Sequence, residues 1–149
     1  MVIMAAFSIA PIGVLTSGWA SNNKYSMIGG MRSAAQLMSY EIPLLLSMAG
    51  VFLLAGSYNP VDIVEQQREA TWLFGLPMWN FIPQFIGFIV FMICILAEVE
   101  RVPFDLPEAE AELVEGWTTE YSGIRYMLFL AAEYIRGFAG AAVATILFL

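Results

Sequence analysis

Residues 98–120 of this chain read EVERVPFDLPEAEAELVEGWTTE, eight carboxylates and one arginine, and the sequence on either side is apolar enough to cross a bilayer. That juxtaposition restricts the fold more than any other feature. The acidic run must lie at a membrane surface between two spans, because an ionisable side chain at the bilayer centre costs about 2.5–3.5 kcal/mol even on the mildest scale. Acid that is nevertheless held at or near membrane depth tends to mark an ion, proton or substrate path.

Composition points the same way. Of 149 residues, 60% are hydrophobic and the mean hydropathy is +0.74, against roughly 45–50% apolar residues in soluble domains. The expected fold class is therefore an all-α integral membrane protein, a polytopic transmembrane helix bundle forming one domain over 1–149. There is no histidine and only one cysteine, Cys94, which removes the usual ligands of haem, zinc, copper and iron–sulfur clusters. Any redox centre is expected on another chain. The net charge of −7 argues against nucleic acid, which selects basic surfaces. The glycines are scattered through apolar stretches rather than gathered into a phosphate-cradling loop. No internal repeat is present.

Four hydrophobic segments can be read. The first, Met1–Leu15, is shorter than the roughly twenty residues of a span and lacks the charged leader of a signal peptide, so it reads as the end of a truncated helix. The second covers about Met27–Gly56 and contains Arg32, Gln36, Glu41 and Pro43. The third covers about Phe81–Ala97, with Trp72 and Trp79 ahead of it at the depth of an aromatic belt. The fourth, about Gly123–Leu149, holds Glu133 and Arg136 and also reads as truncated. Lys24, Arg32, Arg101 and Arg125 flank the loops at 16–26 and 98–122, whereas the loop 57–80 has only Arg68, which puts the first and third loops on the cytoplasmic or matrix side. Within the second loop, Asn59-Pro60-x-Asp62 suits the start of a short surface helix over Val61–Phe74.

In the acidic loop Pro103 and Pro107 forbid a continuous helix, but Pro107 suits a first helical position and Gly116 the position after the last. The implied helix, Pro107–Glu115, gathers Glu108, Glu112 and Glu115 on a polar face and turns Glu110 toward Leu106, Leu113 and Val114. A glutamate on an apolar face needs a partner, a proton or a ligand.

The remaining charges lie in or beside the spans. Arg32 and Glu41 are nine positions apart, point to opposite sides of their helix and need partners elsewhere. Pro43 lacks an N–H and frees the carbonyl of Ser39, one turn from Glu41. Glu98 with Arg101, and Glu133 with Arg136, stand three apart, the spacing of a local ion pair on one helix. Glu41, Glu98 and Glu133 put one carboxylate in or at the edge of each complete span, as a proton path requires. A purely structural anchor would confine charge to helix ends, which Arg32 and Glu41 do not obey.

The stretch AEVERVPFDLPEAEAELVEGWTTEYSGIRYMLFLAAEY (Ala97–Tyr134) closely resembles one membrane component of respiratory complex I, called subunit 1 in mitochondria and the H subunit in bacteria. GWASNNKYSMIGGMRSAAQLMSYE (Gly18–Glu41) and GSYNPVDIVEQQ (Gly56–Gln67) resemble the same family in the same order, so the likeness covers nearly the whole chain. Family members are about twice as long. The resemblance implies an NADH:quinone oxidoreductase in a bacterial or archaeal plasma membrane or the mitochondrial inner membrane. Its partners there are the lipid bilayer, the other complex I membrane subunits and the iron–sulfur peripheral arm. It implies quinone as substrate, no metal, flavin or haem on this chain, and no activity from this chain alone. Carried onto these residues, it assigns Arg101, Asp105, Glu108 and Glu110 to the quinone-binding and coupling loop. Glu41, Glu98, Glu120, Glu133 and Arg32 fall to the path linking the quinone tunnel to the proton pumps. Pro43 and Arg136 depart from the usual family pattern. Related membrane-bound hydrogenase and formate hydrogenlyase complexes have similar anchor subunits that work without quinone, but PFDLPEAE and EYSG fit the quinone enzymes better.

Overall fold

The computed structural model describes residues 2–69, 78–105 and 116–149. Among them the chain is all helical: α1 Val2–Phe7, α2 Ala10–Ala20, α3 Lys24–Ala55, α4 Pro60–Glu69, α5 Phe85–Glu98, a 3₁₀ turn Gly116–Thr118, and α6 Ile124–Phe148. Two of these, α3 with 32 residues and α6 with 25, are long and apolar enough to cross a membrane. At 1.5 Å per residue they measure about 48 and about 37 Å. α5 has 14 residues, about 21 Å, less than the hydrocarbon core of a typical bilayer.

The helix ends follow from local chemistry. Asn23 caps α3 by accepting a hydrogen bond from the Tyr25 N–H at 3.1 Å, and Gly56 closes it at φ 64, donating to the Phe52 carbonyl at 2.8 Å. Pro43 lies inside α3 without ending it. α4 begins at Asn59-Pro60-x-Asp62 as expected: Asn59 Nδ2 and Ser57 Oγ donate to the Asp62 carboxylate at 2.9 and 2.6 Å. Its described extent ends at Glu69, and the expected continuation to Phe74 lies outside the described residues.

The first segment departs from expectation. The chain stops being helical at Phe7, four residues before Pro11, whose ring would collide with the Phe7 carbonyl in a continuous helix. A second helix then runs to Ala20, through half of what the sequence suggests is a loop at 16–26. Thr16 and Ser17 do not break it because their hydroxyls bond back to the carbonyls of Ile12 and Val14, each at 2.8 Å. Gly18 lies against Gly30, where an added Cβ would stand 3.2 Å from the opposing Cα, so α2 and α3 cross with backbones in contact. The third segment begins at Phe85 rather than Phe81, since 80–84 form turns around Pro83.

α3 is the spine. α2 packs on its first half, α5 lies along it, and α6 leans on α5 and α4. One buried cluster, with Leu44, Met48, Val51, Ile63, Phe91 and Phe148, fills the end nearest α4. A smaller one, Val14, Leu37 and Trp117 with Phe129 against it, lies at the other end. Outside, Leu53, Ile86 and Phe138 stand exposed by 85, 78 and 79%. So much outward-facing apolar surface suits lipid rather than water, as expected of a membrane helix bundle.

Candidate functional site

The second cluster borders a cleft of about 390 Å³ between α2, the end of α5, the 3₁₀ turn and α6. That is a volume in the usual range for small-molecule sites. One wall is charged, with Glu100, Arg101, Glu133 and Arg136, and the other is apolar and aromatic, with Val14, Trp117, Tyr126, Phe129 and Leu130.

The aromatic wall is ordered by edge-to-face contacts. Phe129 meets Trp117 with ring centroids 4.8 Å apart and Tyr121 at 5.0 Å. Trp117 is buried, and its indole N–H has no hydrogen-bond partner among the described residues. The turn carrying Trp117 is fixed to the helices: Ser26 Oγ donates to the Trp117 carbonyl at 3.0 Å, and Tyr121 Oη to the Ser17 carbonyl at 2.9 Å. Gly29 lies directly beneath, where a Cβ would stand 2.8 Å from backbone atoms of Gly116 and Trp117. Gly116 itself adopts φ 64, the left-handed conformation expected after a helix. The helix expected from sequence over 107–115, with Glu108 and Glu110, lies outside the described residues.

The charged wall differs from the pairing that the sequence suggests. Glu98 does not pair with Arg101, nor Glu133 with Arg136; the partners are exchanged between helices. Arg101 Nη2 lies 2.9 Å from Glu133 Oε1, and Arg136 Nη1 lies 3.8 Å from Glu98 Oε1 while donating to the Glu98 carbonyl at 3.0 Å. The reason is that α5 ends at Glu98, so three-residue spacing no longer places Glu98 and Arg101 on one helical face. Arg136 also supplies positive charge where the last carbonyls of α5 have no intrahelical partner. The Arg101 guanidinium stands over the Tyr134 ring at 5.2 Å.

Around this lattice the other expected residues take separate places. Glu98 is buried and lies within electrostatic reach of both Glu41 and Glu100. Glu41 is half-buried on α3 and accepts a hydrogen bond from Ser8 Oγ at the α1–α2 break. Glu120 is exposed and accepts from Asn23 Nδ2 at 2.7 Å, which ties the end of the acidic segment to the cap of α3 rather than to the cleft. Arg32 and Asp105 are exposed and do not line the cleft. Sequence reasoning misses Glu100, buried on the charged wall with φ 53 and accepting from the fully buried Ser33 Oγ. Only its membership of the acidic run could have signalled it.

A model of the NADH dehydrogenase family matches residues 1–149. The chain belongs to this family. It is 56% identical over 145 residues, 97% of the chain, to the H subunit of the NADH-quinone oxidoreductase of Brevibacillus brevis. To the corresponding H subunits of Geobacillus thermodenitrificans and Bacillus cytotoxicus it is 54 and 53% identical, over 98% of the chain in each case. It spans about two fifths of the length of these curated relatives, 41–42%. The NADH dehydrogenase family match therefore covers the cleft and the whole acidic run.

Proposed function

We propose that this chain forms part of the quinone cavity and of the proton-coupling path in the membrane subunit of an NADH:quinone oxidoreductase. The observation that carries this reading is the cleft: paired arginines and glutamates face an aromatic wall across a space of small-molecule size. A quinone has a flat apolar ring and two carbonyl oxygens, and it matches such a site. The ring lies against Phe129 and Trp117, and Arg101 offers donors to a carbonyl. Glu133 balances Arg101, so that the cavity stays near neutral until reduction adds charge and calls for protons.

Those protons travel along carboxylates. Glu98 lies within electrostatic reach of Glu41, and this supports a path through these two carboxylates, with Arg32, Glu120 and Glu133 setting the charge at its ends. Asp105, Glu108 and Glu110 belong in this reading to the loop that meets quinone and the peripheral arm. Electrons arrive from iron–sulfur centres on partner chains, and the acidic loop faces the cytoplasm or matrix.

The test is NADH-dependent quinone reduction by membranes holding the assembled complex, with Arg101→Gln and Glu133→Gln introduced singly in the full-length subunit. Both should lower kcat/KM for quinone with assembly intact. Wild-type rates in both, or hydrogen evolution in place of quinone reduction, would count against the reading.

A further inference from the structure

One stripe of α3 grips the segment that leaves α5. Ser33, Gln36 and Tyr40 recur at helical spacing and all reach residues 97–104. Gln36 Nε2 donates to the carbonyls of Ala97 at 3.2 Å and Phe104 at 2.8 Å. The Tyr40 ring meets Phe104 edge-on at 5.2 Å. Between these fixed points, Ser33 Oγ donates to the Glu100 carboxylate, with Ser33 fully buried and Glu100 only 9% exposed.

Glu100 has φ 53, a backbone state that side-chain-bearing residues adopt rarely and at a cost. Its effect is directional. Were α5 to continue, Glu98 and Arg101 would share a face and pair locally. The left-handed residue between them instead turns Arg101 across to Glu133 on α6 and leaves Glu98 to Arg136.

We propose that Glu100, tethered by Ser33, is a positioning residue that fixes the crossed pairing and so holds the Arg101 guanidinium on the cleft. The proposal rests on the quinone reading above and adds a residue that acts through Arg101 rather than by touching quinone.

The test is a double-variant cycle in the full-length subunit within assembled complex. Glu100→Ala should lower quinone kcat/KM about fivefold in the wild-type background but less than about twofold once Glu133→Gln has removed the partner of Arg101, because coupled residues are non-additive. Glu100→Gln retains an acceptor for Ser33 and should recover most of the loss. Ser33→Ala, which leaves the loop sequence intact, should lower the rate in the same direction if Glu100→Ala fails to assemble. Multiplicative losses, or a Glu100→Gln variant as slow as Glu100→Ala, would overturn the proposal. Should the complex reduce no quinone at all, the same cycle read on the thermal midpoint of subunit release still decides. Additive shifts there refute the positioning role, and non-additive shifts support it independently of the substrate.

Discussion

Arg101 Nη2 and Glu133 Oε1 are 2.9 Å apart, a contact that joins the exit of α5 to the middle of α6 on the wall of the cleft. The neighbouring pair, Arg136 and Glu98, is longer but much less accessible, with side chains 16 and 4% exposed against 48 and 24% for the first. The two pairs therefore do different work. Arg101 opens onto the cleft, whereas Arg136 lies against a carboxylate that has little access to water.

That difference gives the first prediction. Arg136→Met removes the charge beside buried Glu98 and the donor to its carbonyl, and should destabilise the protein by about 1–3 kcal/mol, as leaving a buried acceptor unpaired does. Arg101→Met breaks a half-exposed pair and should cost under about 1 kcal/mol, while still lowering quinone turnover. The thermal midpoint of subunit release from the assembled complex measures both. A larger drop for Arg101→Met would reverse the assignment.

The second prediction concerns the seat of the 3₁₀ turn. At Gly29 a methyl group would lie 2.8 Å from backbone atoms of Gly116 and Trp117, and backbone cannot step aside as a flexible side chain can. Gly29→Ala should push the turn from α3, move Trp117 off the cleft and cut quinone turnover severely. Gly137→Ala, where the new methyl would meet Val99 at an ordinary 3.5 Å, is the matched control and should be tolerated or slightly stabilising, since alanine suits a helix better than glycine.

These contrasts also show what the sequence made readable. The end of α3 could be placed at Gly56, which takes the left-handed conformation, but its start lies at Lys24 rather than at the expected Met27, because the cap at Asn23 falls in what reads from sequence as loop. Glu98, Glu133 and Arg101 stood out as charges beside apolar runs, and the structure brings all three to one region. Their partners could not be read, because partner choice depends on where α5 stops and how the chain turns at Glu100, and nothing in EVER marks its second glutamate as the left-handed one. The break before Pro11 follows a local rule, but the short apolar run concealed it. The polar residues of α2 misled in the opposite sense, since their hydroxyls are satisfied within the helix and do not end it.

A third prediction addresses the proposed proton path. Glu41 lies on α3 with Ser8 donating to it and Glu98 within electrostatic reach, while Arg68 is exposed on α4 at the other end of the bundle. Glu41→Gln should depress coupled turnover strongly, and Arg68→Gln should leave it nearly unchanged. Proton translocation per NADH oxidised, in sealed vesicles, gives the comparison. Equal effects would reduce Glu41 to an ordinary surface charge.

The last prediction probes the cleft as a volume rather than as a set of charges. Ala132 lines it from α6 and is exposed, so a larger side chain there fills space without displacing a packed core. Ala132→Phe adds a ring between Glu133 and the Phe129 wall and narrows a cavity of about 390 Å³. Quinone KM should rise severalfold with assembly intact. The effect should be larger for quinones with bulky ring substituents than for small ones, because steric exclusion scales with the ligand whereas a lost charge contact would weaken all quinones alike. Michaelis kinetics with two quinones of different head-group size separate these outcomes. A fall in kcat with unchanged KM for both would mean that quinone does not occupy the cleft.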